Sequence, residues 1–93
     1  MHSVEKISLI EGNFSDTEAK EILHNVITTK IQFHEMKNFS SKERFGKEDE
    51  TSVKRIAELK KALAKTNELL KEASTNNLRL LITSSIIIST SEK

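Results

Sequence analysis

Ile56, Leu59, Leu63, Thr66, Leu70 and Ala73 recur at alternating steps of three and four residues. A strand exposes a face every second residue, so this spacing belongs to a helix. It is also a narrow seam, of the kind that two helices bury between them. Val53, Ala57, Ala62 and Leu69 widen it toward a face suited to a bundle. The pattern predicts a helix over about 50–73, with Glu58–Lys61 and Glu68–Lys71 as opposite-charge pairs on its wet side. Such a seam requires a partner helix of similar length.

The upstream half supplies one. Ser15-Asp16-Thr17-Glu18 is a capping box, and Phe14 before it is placed to staple onto Ala19. Ala19, Ile22, Leu23, Val26, Ile27, Ile31 and Phe33 then follow at roughly helical spacing. A helix over about 16–37 results, with tertiary packing needed to hold the β-branched run Val26-Ile27-Thr28-Thr29. The two helices match as an antiparallel hairpin.

The ends read as strands. VEKISLI, 4–10, is rich in β-branched residues, with Ile7 and Leu9 on one face and Gly12-Asn13 to end it. LRLLITSSIIIST, 78–90, places Leu78, Leu80, Ile82, Ile86 and Ile88 on one side, and Ser84-Ser85 marks a bulge or break. STNN, 74–77, separates it from the second helix. A hairpin brings its open ends together, so the terminal strands pair antiparallel. The expected fold is one α+β domain over 1–93: a long two-helix hairpin with a short N-terminal and a longer C-terminal strand. Two strands make a weak sheet, and the isoleucine-rich edge is an aggregation hazard in a monomer. The expectation is therefore a homo-oligomer formed through the C-terminal strand. The alternative is a monomer whose sheet lies flat on the helices.

The helices are joined by NFSSKERFGKED, 38–49, long for a bundle connection. Ser40-Ser41-Lys42-Glu43 offers a second capping box, Gly46 a left-handed stop, and Asp49 or Thr51 a cap for the next helix. This suggests a one-turn helix over 41–45, with Phe39 and Phe45 folded over the hairpin's closed end and Arg44 bridging to Glu48 or Asp49. With IEGNFS upstream, the segment resembles one shared by a family of small uncharacterised bacterial proteins. The resemblance spans residues 7 to about 90; it implies a bacterial helical hairpin and brings no activity, cofactor or catalytic residue.

Composition narrows function more than it defines it. Only 35% of the 93 residues are apolar and 31% are charged, so the core is thin, and a net charge of +1 creates no field for nucleic acid or anionic membrane. The absence of cysteine excludes disulfides and thiolate chemistry and fits a reducing compartment. The N-terminus lacks a secretory pattern, and the apolar run 78–88 is half a bilayer span, so a cytoplasmic protein is expected. His2 sits in the terminus, while His24 and His34 are too far apart on one helix to share a metal and read as surface or boundary residues. No nucleophile elbow, phosphate loop or zinc motif is present. The expectation is a non-enzymatic, cofactor-free and metal-free interaction module, with Lys42, Arg44 and Lys47 as candidate contacts for a protein partner. The alternative is a nucleic-acid-associated regulator. Residues 53–73 carry six bases against three acids, with Lys54, Lys60, Lys61 and Lys65 as its face, but no tyrosine or tryptophan to stack on bases.

Overall fold

The order of elements is strand, helix, helix, strand: β1 (Val4–Phe14), α1 (Asp16–Phe45), α2 (Glu50–Thr75) and β2 (Leu80–Ser89). The computed structural model describes residues 3–92, so His2 lies outside them. The fold is α+β, an antiparallel helical hairpin whose open end carries a two-stranded antiparallel ribbon. Its extents are 50 × 37 × 15 Å. The ribbon touches the hairpin only near its root and does not lie along it.

The helices meet along the seam that α2's spacing requires. Leu70 and Ala73 are buried, and Ile56, Leu59, Leu63 and Thr66 are half-buried. One more step of four toward the N-terminus reaches Ser52, which is fully buried. Opposite them, α1 presents Ala19, Leu23, Ile27 and Ile31, then the polar residues His34, Asn38 and Ser41. The seam is apolar toward the ribbon and polar toward the closed end. Val53, Ala57, Ala62 and Leu69 do not widen it; they face solvent, because a two-helix hairpin covers only one line of side chains per helix. Val26 and Phe33 likewise point away from α2. Glu58 and Glu68 pair backward, with Arg55 and Lys65 at 3.6 Å each, rather than forward with Lys61 and Lys71.

The capping box at the start of α1 is formed: the Glu18 N–H donates to Ser15 Oγ at 3.2 Å, and the Ser15 N–H to Glu18 Oε1 at 3.0 Å. At its end α1 continues to Phe45, through the segment expected as a separate turn. Ser40 therefore caps nothing, and only 46–49 connect the helices. Phe39 and Phe45 are 59% and 70% exposed rather than folded over the tip. A helix extended by two turns carries them outward, and small polar residues occupy the interior in their place. Gly46 does end α1, with φ 69° and its N–H donating to Lys42 O at 2.9 Å. α2 ends at STNN: Asn77 takes φ 53°, and the Leu78 N–H reaches back to Ala73 O at 2.8 Å.

In the ribbon, β1 runs to Phe14 rather than stopping at Gly12, because Leu80–Thr83 pair with Glu11–Phe14. Gly12 provides room: a Cβ there would stand 3.1 Å from the Phe14 ring. A bulge does occur opposite Ser84-Ser85, but the extra residue is Leu9 on β1. The bulge places Ile7 and Ile10 on one face, opposite Ile86 and Ser84, where simple alternation put Ile7 with Leu9. That face is half-covered near the hairpin at Ile10, Phe14, Leu80 and Ile82 and open further out. The opposite face is open: Leu81 is 83% and Ile87 68% exposed.

Candidate functional site

The most densely hydrogen-bonded part of the hairpin interior lies at its closed end. Asp49 stands at the N-cap of α2, and its carboxylate accepts from the Ser52 hydroxyl at 2.5 Å. That hydroxyl has one proton, so Ser52 Oγ is left to accept from His34 Nδ1–H, 3.3 Å away on α1. One residue-turn further, the Asp49 N–H donates to Asn38 Oδ1 at 2.7 Å, and the Ser41 hydroxyl donates to Lys47 O at 2.9 Å. α1 thus holds the connection and the start of α2 through three side chains spaced along its inward face. Asn38 and Ser41 belong to the polar segment that the sequence marks as unusual; their duty is to secure the turn.

Electrostatics follows from this packing. Burial is the main cause that lowers the His34 pKa from 6.5, aided by the charges of Lys30, Arg55 and Lys37 and opposed by Asp49. The Asp49 carboxyl is held below 3.8 chiefly by the Ser52 hydroxyl, with Lys37 assisting against burial. Above its lowered pKa His34 is neutral, with Nδ1–H facing Ser52 Oγ, and among the described residues its buried Nε2 has no hydrogen-bond partner. The Phe33 ring meets the imidazole edge-to-face at 5.1 Å, and Lys30 Nζ sits 4.9 Å over that ring. The proton order, histidine to serine to carboxylate, is the reverse of the order that activates a serine nucleophile. Ser52 is also closed to solvent. The cluster is a structural pin.

The candidate partner contacts surround this pin without forming one patch. Lys42 and Arg44 lie in the last turn of α1. Two residues apart on a helix, they project about 160° from each other. Lys42 pairs with Glu48 at 3.2 Å, taking the acid expected for Arg44. Arg44 lines a shallow groove of about 260 Å³ with Lys37, Ser40, Ser41, Phe45 and Asp49. Lys47 is in the connection. All three cations are exposed.

On α2, Lys54, Lys61 and Lys65 fall within about 40° of azimuth on the outer side, whereas Lys60 lies about 120° from Lys54. Glu58, Glu68 and Glu72 share that outer side, and Lys65 is paired with Glu68. The expected basic face is thus a mixed one.

A larger groove, about 570 Å³, opens between the helices near the ribbon, where Lys20, His24, Asn67 and Lys71 meet. His24 Nε2 is hydrogen-bonded to Asn67 Oδ1 at 2.5 Å, bridging α1 to α2. Nearby, Arg79 donates to Asn13 Oδ1 at 2.7 Å and to Asn13 O at 3.2 Å, and approaches Glu18 at 4.0 Å. Arg79 therefore joins both strands to the start of α1. Ser15 is the main cause holding the Glu18 carboxyl below 4.5, and Arg79 adds to it.

Sequence reasoning placed both histidines at the surface or boundary and missed His34 and Ser52 as interior partners. The signal was present in the spacing: Ser52 continues α2's seam, and Ile27, Ile31, His34, Asn38 and Ser41 continue α1's. Polar identity hid it. Among the described residues no three histidine, aspartate or glutamate side chains are placed to hold a metal, and no helix is long and apolar enough to cross a membrane. No protein family, curated protein or solved structure matches the chain.

Proposed function

We propose that this chain is a non-enzymatic interaction module that assembles with copies of itself through β2. One observation carries the reading. β2 reads LLITSSIIIS, ten residues without a charge, and among the described residues no strand lies beside its outer edge. β1 carries Glu5, Lys6 and Glu11, the charges that normally discourage edge-to-edge pairing. β2 has no such guard. Antiparallel pairing of β2 with β2 of a second copy yields a four-stranded sheet and satisfies the free backbone groups. The bacterial, cytoplasmic setting expected from the sequence belongs to the same proposal.

The exposed cations Lys42, Arg44 and Lys47 surround a tip that such an assembly would present to a protein partner. Binding of nucleic acid along α2 has weaker support, because acids alternate with its lysines.

Sedimentation velocity tests the assembly. At micromolar concentration the expected mass is a multiple of 10.6 kDa. Ile87→Lys, which puts a charge on the exposed strand, should lower it. A wild-type chain found only at 10.6 kDa would defeat the reading.

A further inference from the structure

We infer that the outer face of α1 is a second self-association surface, packing against the same face of another copy. This rests on the self-association proposed above and adds a contact that β2 does not provide.

α1 has two apolar sides. Inward, Ala19, Leu23, Ile27 and Ile31 pack on α2. Outward, Ile22, Val26, Thr29, Phe33, Met36 and Ser40 follow at steps of four and three, the spacing of a helix–helix seam. Val26 and Phe33 are exposed and Met36 is 68% exposed. α1 has almost no single apolar direction, in contrast to α2, because apolar residues lie on both sides and its inward seam turns polar at His34, Asn38 and Ser41. A surface helix serving only its own chain needs one apolar stripe. Ile22 and Ser40, at the ends of this second stripe, are half-buried, and the stretch between them, Val26, Thr29, Phe33 and Met36, is exposed.

Area identifies the occupant as another copy. The chain exposes 7616 Å². A compact monomer of its mass exposes about 5,500 Å². The radius of gyration, 16.8 Å, likewise exceeds the roughly 12 Å of a compact chain of this length. The excess surface is about 2,100 Å² per chain, whereas a standard interface covers about 800 Å² per partner. One patch of ordinary size along β2 leaves more than half of that excess bare, and the outer seam of α1, with Val26, Phe33 and Met36 exposed, is a further apolar stretch that a second copy can cover. A seam of this spacing is complementary to itself, and a net charge of +1 sets no barrier between copies. Two self-complementary surfaces either share one two-fold axis, giving a dimer with four packed helices, or use two axes, giving a tetramer.

The chain has no cysteine, so a single one can report proximity. Thr29 lies near the middle of the seam, the position closest to its counterpart when two such seams cross. Under mild oxidation Thr29→Cys should become a covalent dimer on a non-reducing gel, and Lys61→Cys, on the outer side of α2, should not. Val26→Glu with Met36→Glu should retain the helical circular dichroism, since both side chains point away from α2. The same pair should raise the dissociation constant at least about tenfold by sedimentation. If the wild-type chain assembles yet Thr29→Cys cross-links no better than Lys61→Cys, the α1 surface is refuted and the β2 proposal stands. If the doubly charged variant assembles as tightly as wild type, the same conclusion holds. A wild-type chain that is monomeric overturns both.

Discussion

Gly46 ends α1 at φ 69°, a left-handed conformation that costs other residues about 1 kcal/mol or more. Nothing within 4 Å would meet an added methyl group, so the cost of Gly46→Ala is backbone strain alone. We expect it to lower stability by about 1 kcal/mol in chemical denaturation. His34 sets a pH dependence. Unfolded it titrates near 6.5 and folded it titrates lower. Between those values the unfolded chain holds the extra proton, so stability falls as pH drops through 6.5 and levels off below the folded value. The Glu18 and Asp49 carboxyls are held below 4.5 and 3.8 respectively, so the stability they contribute is present above those values and is lost only on further acidification. His34→Gln should flatten the denaturation midpoint in the window just below pH 6.5 and leave the more acidic loss in place. An unchanged profile would mean that His34 is not buried neutral.

At the scale of elements, a helix pair buries one line from each member. Leu69 and Leu70 are adjacent and chemically identical, yet Leu70 is buried against α1 and Leu69 is half-exposed. Leu70→Ala should cost about 2–4 kcal/mol through lost burial and a residual cavity. Leu69→Ala should cost well under half of that. Equal losses in the two variants would contradict the seam. The ribbon shows the complementary lesson. One inserted residue, Leu9, reverses which side chains share a face, and nothing in VEKISLI marks it. The inserted residue became visible only when the two strands were laid side by side, since a bulge is a property of the pair.

At the scale of the molecule, Ala19, Ile31, Leu70 and Ala73 alone among the described residues form the buried apolar core. That is little for a chain of 93 residues. Stability should therefore be tied to assembly. Mass action then makes the thermal midpoint rise with protein concentration. Scanning calorimetry or circular dichroism melts over a hundredfold concentration range provide the measurement. A midpoint independent of concentration would show that the hairpin stands alone and that the open ribbon has another use.

The amino-acid sequence by itself determined the helical hairpin, the capping box at Ser15 and Glu18, the stops at Gly46 and STNN, and the antiparallel closure of the terminal strands. Each of these follows from local periodicity or backbone chemistry within a few residues. The closed end was decided only in three dimensions. NFSSKERFGKED contains caps, a glycine and two phenylalanines that suit a separate capped turn, and the local signals for helix and turn there are nearly balanced. Tertiary structure settled the balance: Asn38 holds the Asp49 backbone, Ser41 holds Lys47, and His34 meets Ser52, so α1 continues two turns further than its apolar pattern. Hydrogen bonds between residues far apart in the chain have no period to betray them, and these put small polar side chains inside and both phenylalanines out.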